Sequence, residues 1–120
     1  MTSADPVRNP ANLKLVLYVD FGSQPARAIA GFCKLNGIAH ELKMVPLRKR
    51  EHMKEPFISI NPREIIPAMQ ELDASTGEVV FTLSESHTIL RYLADSRMCP
   101  DHWYPREDLK KRAIVDAYLD

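Results

Sequence analysis

Neither sign of charge is in excess, since sixteen Lys and Arg residues face sixteen Asp and Glu residues. With no net field to gather phosphates or anionic headgroups, nucleic acid and membrane surfaces are excluded as expected partners. Cysteine is sparse as well. The two thiols, Cys33 and Cys99, form no CxxC and no metal-ligand cluster, and two cysteines do not make a disulfide scaffold. No metal is expected, and a reducing, cytoplasmic compartment fits best. Long apolar runs are missing too, so no segment reads as a bilayer span. The first twelve residues, MTSADPVRNPAN, carry an acid and two prolines where a signal peptide needs an apolar stretch, and they read as a flexible N-terminal tail. Internal repeats and low-complexity segments are absent.

The remaining sequence has strong local patterns. LKLVLYVD, Leu13 to Asp20, is an apolar, β-rich run too short for a capped helix, and it predicts a buried strand. Pro25 suits a first helical turn, with Ser23 or Gln24 as the cap. Ala26, Ile29, Ala30 and Cys33 then follow at helical spacing, and Asn36-Gly37 is a stop signal. HELKMVP, from His40 to Pro46, predicts a second strand, parallel to the first by the right-handed crossover rule. Arg48-Lys49-Arg50 is followed by Glu51 and reads as a solvated face. A short irregular or helical stretch is expected from about Arg50 to Ile60. Two prolines bracket Ile65-Ile66 and forbid a helix there.

A third strand is expected from Ala68 to Leu72. The turn formers of Asp73 to Gly77 join it to a fourth, Val79 to Leu83, as a hairpin. Ser84, Glu85 and Ser86 supply a cap for a helix whose buried stripe is Ile89, Leu90, Leu93 and Ala94. RMCPDHWYP, Arg97 to Pro105, reads as a linker whose Trp103 and Tyr104 call for burial. A last helical pattern, with Leu109, Ala113, Ile114, Ala117 and Tyr118, begins at Arg106 and has only the first domain to cover it. The fold class is therefore α/β, with a βαβ unit, a variable middle and a ββα unit.

That arrangement is the one found in thioredoxin-like domains. YVDFGSQPARA, INPREIIPAM, LSESHTILRYLAD and DHWYPREDLKKRA together resemble the N-terminal domain and linker of theta-class glutathione transferases. The resemblance implies a thioredoxin-like domain with a mixed four-stranded sheet over residues 13–97, a linker over 98–105, and over 106–120 the first helix of an incomplete all-helical domain. It also implies glutathione as co-substrate, a small electrophile as second substrate, and a homodimer for a full-length chain.

Glutathione conjugation needs a thiolate, and an ordinary thiol with a pKa of about 8.5 is only a few per cent ionised at pH 7. Lowering that value by about two units takes roughly 2.7 kcal/mol of preferential anion stabilisation. A hydroxyl donating to the sulfur beside a helix N-terminus can supply it. By the resemblance Ser23 is that catalytic hydroxyl, although a plain N-cap explains Ser23 alone equally well. Ile66-Pro67 resembles the family's cis-proline step, which turns the Ile66 backbone toward the cysteinyl part of the ligand. Glu85 matches the carboxylate that faces the γ-glutamyl ammonium, Ser86 the hydroxyl that faces its carboxylate, and His52 the residue that reaches the glycine carboxylate.

One departure stands out. Where theta-class chains usually carry a lysine just before the residue preceding the cis-proline, this chain has Ile65, and Arg63, Lys43 or Lys54 are the candidates to compensate. Arg27 is expected to make a structural contact and Cys33 to lie in the core. Two other functions stay open: a non-catalytic glutathione-binding or protein-assembly module, and a glutaredoxin-type oxidoreductase, the latter disfavoured because Ser23 holds the place of its cysteine.

Overall fold

The structure, a computed structural model, describes residues 9–119. Most of the expected tail, residues 1–8, and Asp120 lie outside the described residues. Strand β1 (Leu13–Val19) runs through the middle of the molecule, and its residues from Leu15 onward are buried without a break. A strand covered on both faces reads as a continuous apolar run, which is what the sequence carries there. Because side chains alternate, β1 splits its cargo between two cores. Leu15, Leu17 and Val19 join Ile29, Cys33, Met69, Ile89 and Leu93 on one face. Val16 and Tyr18 join Val45, Phe57 and Ala68 on the other.

Helix α1 (Gln24–Leu35) is capped by Ser23, whose side chain accepts from the Ala26 N–H, and Pro25 lies in its first turn. Ala26, Ile29, Phe32 and Cys33 are its buried residues, and it ends at Asn36 followed by Gly37 at φ 66°. Strand β2 (Glu41–Met44) is shorter than expected but parallel to β1, with Val16 opposite Glu41 and Val19 opposite Met44. The middle stretch holds a single 3-10 turn, Glu51–Met53, and the one-turn helix α2 (Phe57–Ile60). Phe57 meets the Tyr18 ring edge-on, centroids 5.8 Å apart.

The chain returns as β3 (Ala68–Asp73), antiparallel to β1, and pairs in a hairpin with β4 (Val79–Ser84). The hairpin turn is set by Asp73, whose carboxylate accepts from Ser75 and Thr76, and by Gly77 at φ 78°. Sheet order is β2-β1-β3-β4, the mixed four-stranded sheet of a thioredoxin-like domain. Helix α3 (Ser86–Ser96) lays Ile89, Leu93 and Ala94 on the same face as α1, with Leu90 at its margin.

Four features differ from the sequence reading. Asn9, placed in the expected tail, is tied down: its amide donates to the Ala39 carbonyl at 2.9 Å and accepts from Arg97 at 3.0 Å. The α3 N-cap falls within the expected Ser84–Ser86 stretch, at Glu85, but it makes no side-chain capping bond. Trp103 stays 37% exposed, resting edge-on against Phe32, while Tyr104 is buried. Helix α4 (Leu109–Leu119) turns Val115 and Asp116 inward, and Leu109, Ile114 and Tyr118 remain 75%, 69% and 89% exposed. Its attachment is largely polar, through Arg112 to Asp95, Arg91 to Asp116, and the Tyr104 hydroxyl to Asp116 at 2.6 Å.

Arg97 is the largest fully buried side chain. Its guanidinium meets the Glu71 carboxylate, and the Tyr92 hydroxyl donates to the other oxygen of Glu71 at 2.8 Å. The side chains are 0% and 4% exposed, which sets this pair apart from solvent-screened surface pairs such as Lys14–Glu41. Cys33 lies in the same core, and burial pushes its thiol up to about 12. Replacing Glu71 with Ala strands the guanidinium in the core, with an expected loss of about 3–5 kcal/mol. Urea denaturation is the check. The double replacement Glu71→Met with Arg97→Met should recover most of that loss, because no unpaired charge remains.

Candidate functional site

Strand register brings the expected site residues to one end of the sheet. At the carboxyl end of β1, Val19 lies opposite Met44 of β2, and Tyr18 lies opposite Ala68 at the start of β3. Ala68 in turn lies opposite Ser84 at the end of β4. The loop after β1 carries Ser23, the one after β2 carries His52, the one before β3 carries Ile66-Pro67, and the step after β4 carries Glu85 and Ser86. All four connections therefore open at the same edge.

Asp20 joins two of these loops. Its carboxylate accepts from the Gly22 N–H and from the Leu47 N–H, both at 2.8 Å. A Cβ at position 22 would sit 3.3 Å from the Asp20 oxygen, so glycine permits this close turn. The Leu47 and Gly22 N–H groups, in that order of effect, hold the Asp20 carboxyl below its ordinary value of 3.8. A depressed carboxyl stabilises the fold at neutral pH and loses that contribution as pH falls through its lowered value. The clamp thus holds at neutral pH. Onward from Leu47, its carbonyl accepts from Arg50 and the Pro46 carbonyl from Glu51, which fixes the turn bearing His52.

Ser23 Oγ accepts from the Ala26 N–H at 3.4 Å. That bond uses a lone pair and leaves the hydroxyl hydrogen free to donate, so capping and donation to an anion are compatible. The first turn of α1 holds no acidic side chain to oppose an anion at its N-terminus. Arg27, on the next turn, donates to the Phe21 carbonyl at 2.5 Å, a structural contact as expected. His52 is half-buried, and its Nδ1 is enclosed with no hydrogen-bond partner among the described residues. A buried ring nitrogen without a partner calls for a ligand or solvent contact.

The Ile66–Pro67 bond is cis, and Ile66 lies two residues before the β3 ladder begins. Glu85 is held at φ 77°, ψ 111°, a backbone region unfavourable for any residue with a Cβ. Its exposed carboxylate pairs with Arg63 at 2.7 Å. Ser86 is the first residue of α3, where backbone N–H groups have no intrahelical acceptor. Local sequence rules did not disclose the Asp20 clamp or the Arg63–Glu85 pair. The D-x-G spacing of Asp20 and Gly22 was the one available sign of the former.

Of the three cations that are candidates to offset Ile65, Arg63 faces Glu85 at 2.7 Å and Lys43 lies 4.0 Å from Glu41, while Lys54 follows His52 by two residues in sequence. An apolar cavity of about 490 Å³ lies elsewhere, between α1, α3 and α4, and none of the candidate site residues lines it.

A βαβ unit and a ββα unit joined through a cis-proline loop, with their loops gathered at one sheet edge, define the thioredoxin-like class. Residues 23–96 match the family described as glutathione S-transferase, N-terminal domain, and the chain belongs to that family. It is 48% identical over 105 residues to rat glutathione S-transferase theta-1, covering 88% of this chain and 40% of that one. It superposes on human glutathione transferase theta-2 in complex with glutathione and an unknown ligand with TM-score 0.78 and 42% identity, covering 88% of this chain and 40% of that one. A human theta-class transferase with the glutathione conjugate of 1-menaphthyl sulfate gives TM-score 0.77 at 42% identity, again covering 88% and 40%. The chain thus spans about 40% of the length of these relatives.

The strained backbone gives a direct test at Glu85. Glycine and alanine both remove the carboxylate, but only glycine removes the Cβ. Glu85→Gly should be more stable than Glu85→Ala by about 1 kcal/mol or more, read from urea midpoints. Equal midpoints would show that φ 77° costs nothing there.

Proposed function

We propose that this chain is the glutathione-binding part of a theta-type glutathione transferase, in which Ser23 donates a hydrogen bond to the glutathione sulfur and favours its thiolate for conjugation to an electrophile. The observation that carries the reading is the convergence of four connections at one sheet edge, each bearing a residue suited to one part of an extended thiol peptide. In this reading the free N–H groups at the start of α1 add to the Ser23 hydroxyl around the sulfur. The Ile66 backbone pairs with the cysteinyl amides beside Pro67. Glu85 meets the γ-glutamyl ammonium, while Ser86 and the α3 N-terminus meet its carboxylate. His52, whose Nδ1 has no partner among the described residues, takes the glycine carboxylate, and Lys54, two residues further along the chain, is a cation that could offset Ile65.

The glutathione bound to the human theta-2 structure and the conjugate bound to the other human theta-class structure support both substrates. The exposed Leu109, Ile114 and Tyr118 support α4 as the first helix of an all-helical domain. Val79, Val80 and Phe81, exposed on the edge strand β4, support a homodimer. Cys33 and Cys99, not joined in a disulfide, suit a cytoplasmic setting, and conjugation of an electrophile there would be a detoxifying role. The same exposed α4 face favours a second reading, a glutathione-binding assembly module that binds without turnover.

Ultraviolet absorbance of the glutathione thiolate, titrated against pH with and without the protein, is the test. Wild-type protein should lower the pKa of bound glutathione by roughly two units, and Ser23→Ala should return it most of the way to the free value. Equal curves for the two proteins would remove Ser23 from the chemistry. A lowered pKa with no conjugation of a halogenated test electrophile would favour the assembly module.

A further inference from the structure

The γ-glutamyl end of glutathione is a free α-amino acid, with an ammonium and a carboxylate on one carbon. A neutral receptor of opposite charges suits such a zwitterion better than a single charge does. At the end of β4 the chain presents such a pair, Glu85 with Arg63 at 2.7 Å, both more than half exposed. Its acidic member is already the proposed partner of the ammonium.

Arg63 is not a loosely tethered surface arginine at its backbone. Asn61, 4% exposed, organises the loop that bears it from both sides. Its side-chain oxygen accepts from the Arg63 N–H at 3.2 Å, and its side-chain amide donates to the Ile65 carbonyl at 2.8 Å. The Asn61 carbonyl accepts from the Glu64 N–H at 2.9 Å, and Glu64 turns the chain at φ 58°. The next peptide steps lead into the cis Ile66–Pro67 bond. Loop 61–67 thus holds Arg63 over Glu85 while it holds Ile66 at the sheet edge.

We infer that Arg63 is a specificity-determining residue of this site, opening from Glu85 to grip the α-carboxylate of the γ-glutamyl group while Glu85 takes the ammonium. The inference rests on the glutathione reading above and extends it to a charge that the acidic member alone does not recognise. Energetics permit the exchange. An exposed ion pair contributes little, so parting Arg63 from Glu85 costs little, and two charge-assisted contacts replace one. Guanidinium geometry also suits a carboxylate, which accepts it through two parallel bonds. Ser86 and the α3 N–H groups retain lone pairs on the same carboxylate, so the two sources of donors do not exclude each other.

Calorimetric titration with three ligands tests this. Glutathione should bind Arg63→Gln about fivefold more weakly than wild type, with Arg63→Lys in between. The same fivefold loss should persist for glutathione carrying a glycine carboxamide. It should vanish for 4-aminobutyryl-Cys-Gly, which keeps the ammonium and lacks the α-carboxylate. Tighter binding to Arg63→Gln would show that Arg63 only competes for Glu85, and unchanged binding would show a bystander; either overturns the inference and leaves the glutathione reading intact. A loss that vanishes with the carboxamide would move Arg63 to the glycine end and overturn it too. Absence of saturable glutathione binding to the wild-type chain would instead bring down the functional reading itself.

Discussion

Pairing of β3 against β1 is the constraint on which the site depends. Tyr18 opposite Ala68 places the cis-proline loop beside the exit of β1, and Ala68 opposite Ser84 carries the same edge across to Glu85. A slip of one residue in either ladder would swap the faces of the strand. The two cores guard against such a slip from opposite sides. Leu15, Leu17 and Val19 fit one core, and Val16 and Tyr18 the other, so β1 has no face that can turn to solvent. The position of the loops is therefore a by-product of apolar packing some distance from them.

Polar contacts then refine what packing sets. Asp20 joins the loops of Ser23 and His52, and Asn61 shapes the loop of Arg63 and Ile66. Each uses a short side chain that satisfies backbone groups of its neighbouring loop. Glu85 runs the other way. Its backbone sits where a Cβ is unfavourable, and that cost is carried by the surrounding hairpin and helix, an arrangement typical of functional positions. The ion pair of Arg97 with Glu71 belongs to a separate economy, since it joins α3 to β3 inside the core and touches none of the candidate site residues.

Much of the fold was legible in the sequence because its signals are local. The apolar run of β1, the Ser23 cap with Pro25, the Asn36-Gly37 stop and the Asp73–Gly77 turn each act within a few residues. Pairings distant in sequence were hidden. Arg97 lies 26 residues from Glu71, so a charged residue at a helix end read as the start of a linker. The serines around Glu85 suggested a cap by composition, but the backbone at Glu85 leaves no side-chain cap there. Helix α4 has no sharply apolar side, so the sequence does not say which residues the first domain takes; Val115 against the core and the ion pairs through Asp95 and Asp116 set its seat. In the site, Ser23 was visible as a cap from local rules, whereas the ligand-facing roles proposed for His52, Ile66, Glu85 and Ser86 came from family resemblance. Arg63 was noticed as a cation, but its partner Glu85 was not.

In the function proposed for it, one end of the sheet acts as a single receptor for an extended thiol peptide. Backbone amide shifts followed by NMR during a glutathione titration address it most directly. The amides of Ser23, Gln24, Ala26, Ile66, and Ser86 to Thr88 should move together along one saturation curve, with the His52 turn following the same curve. Shifts that gather instead around the cavity between α1, α3 and α4, or that saturate at different concentrations for the different loops, would contradict it.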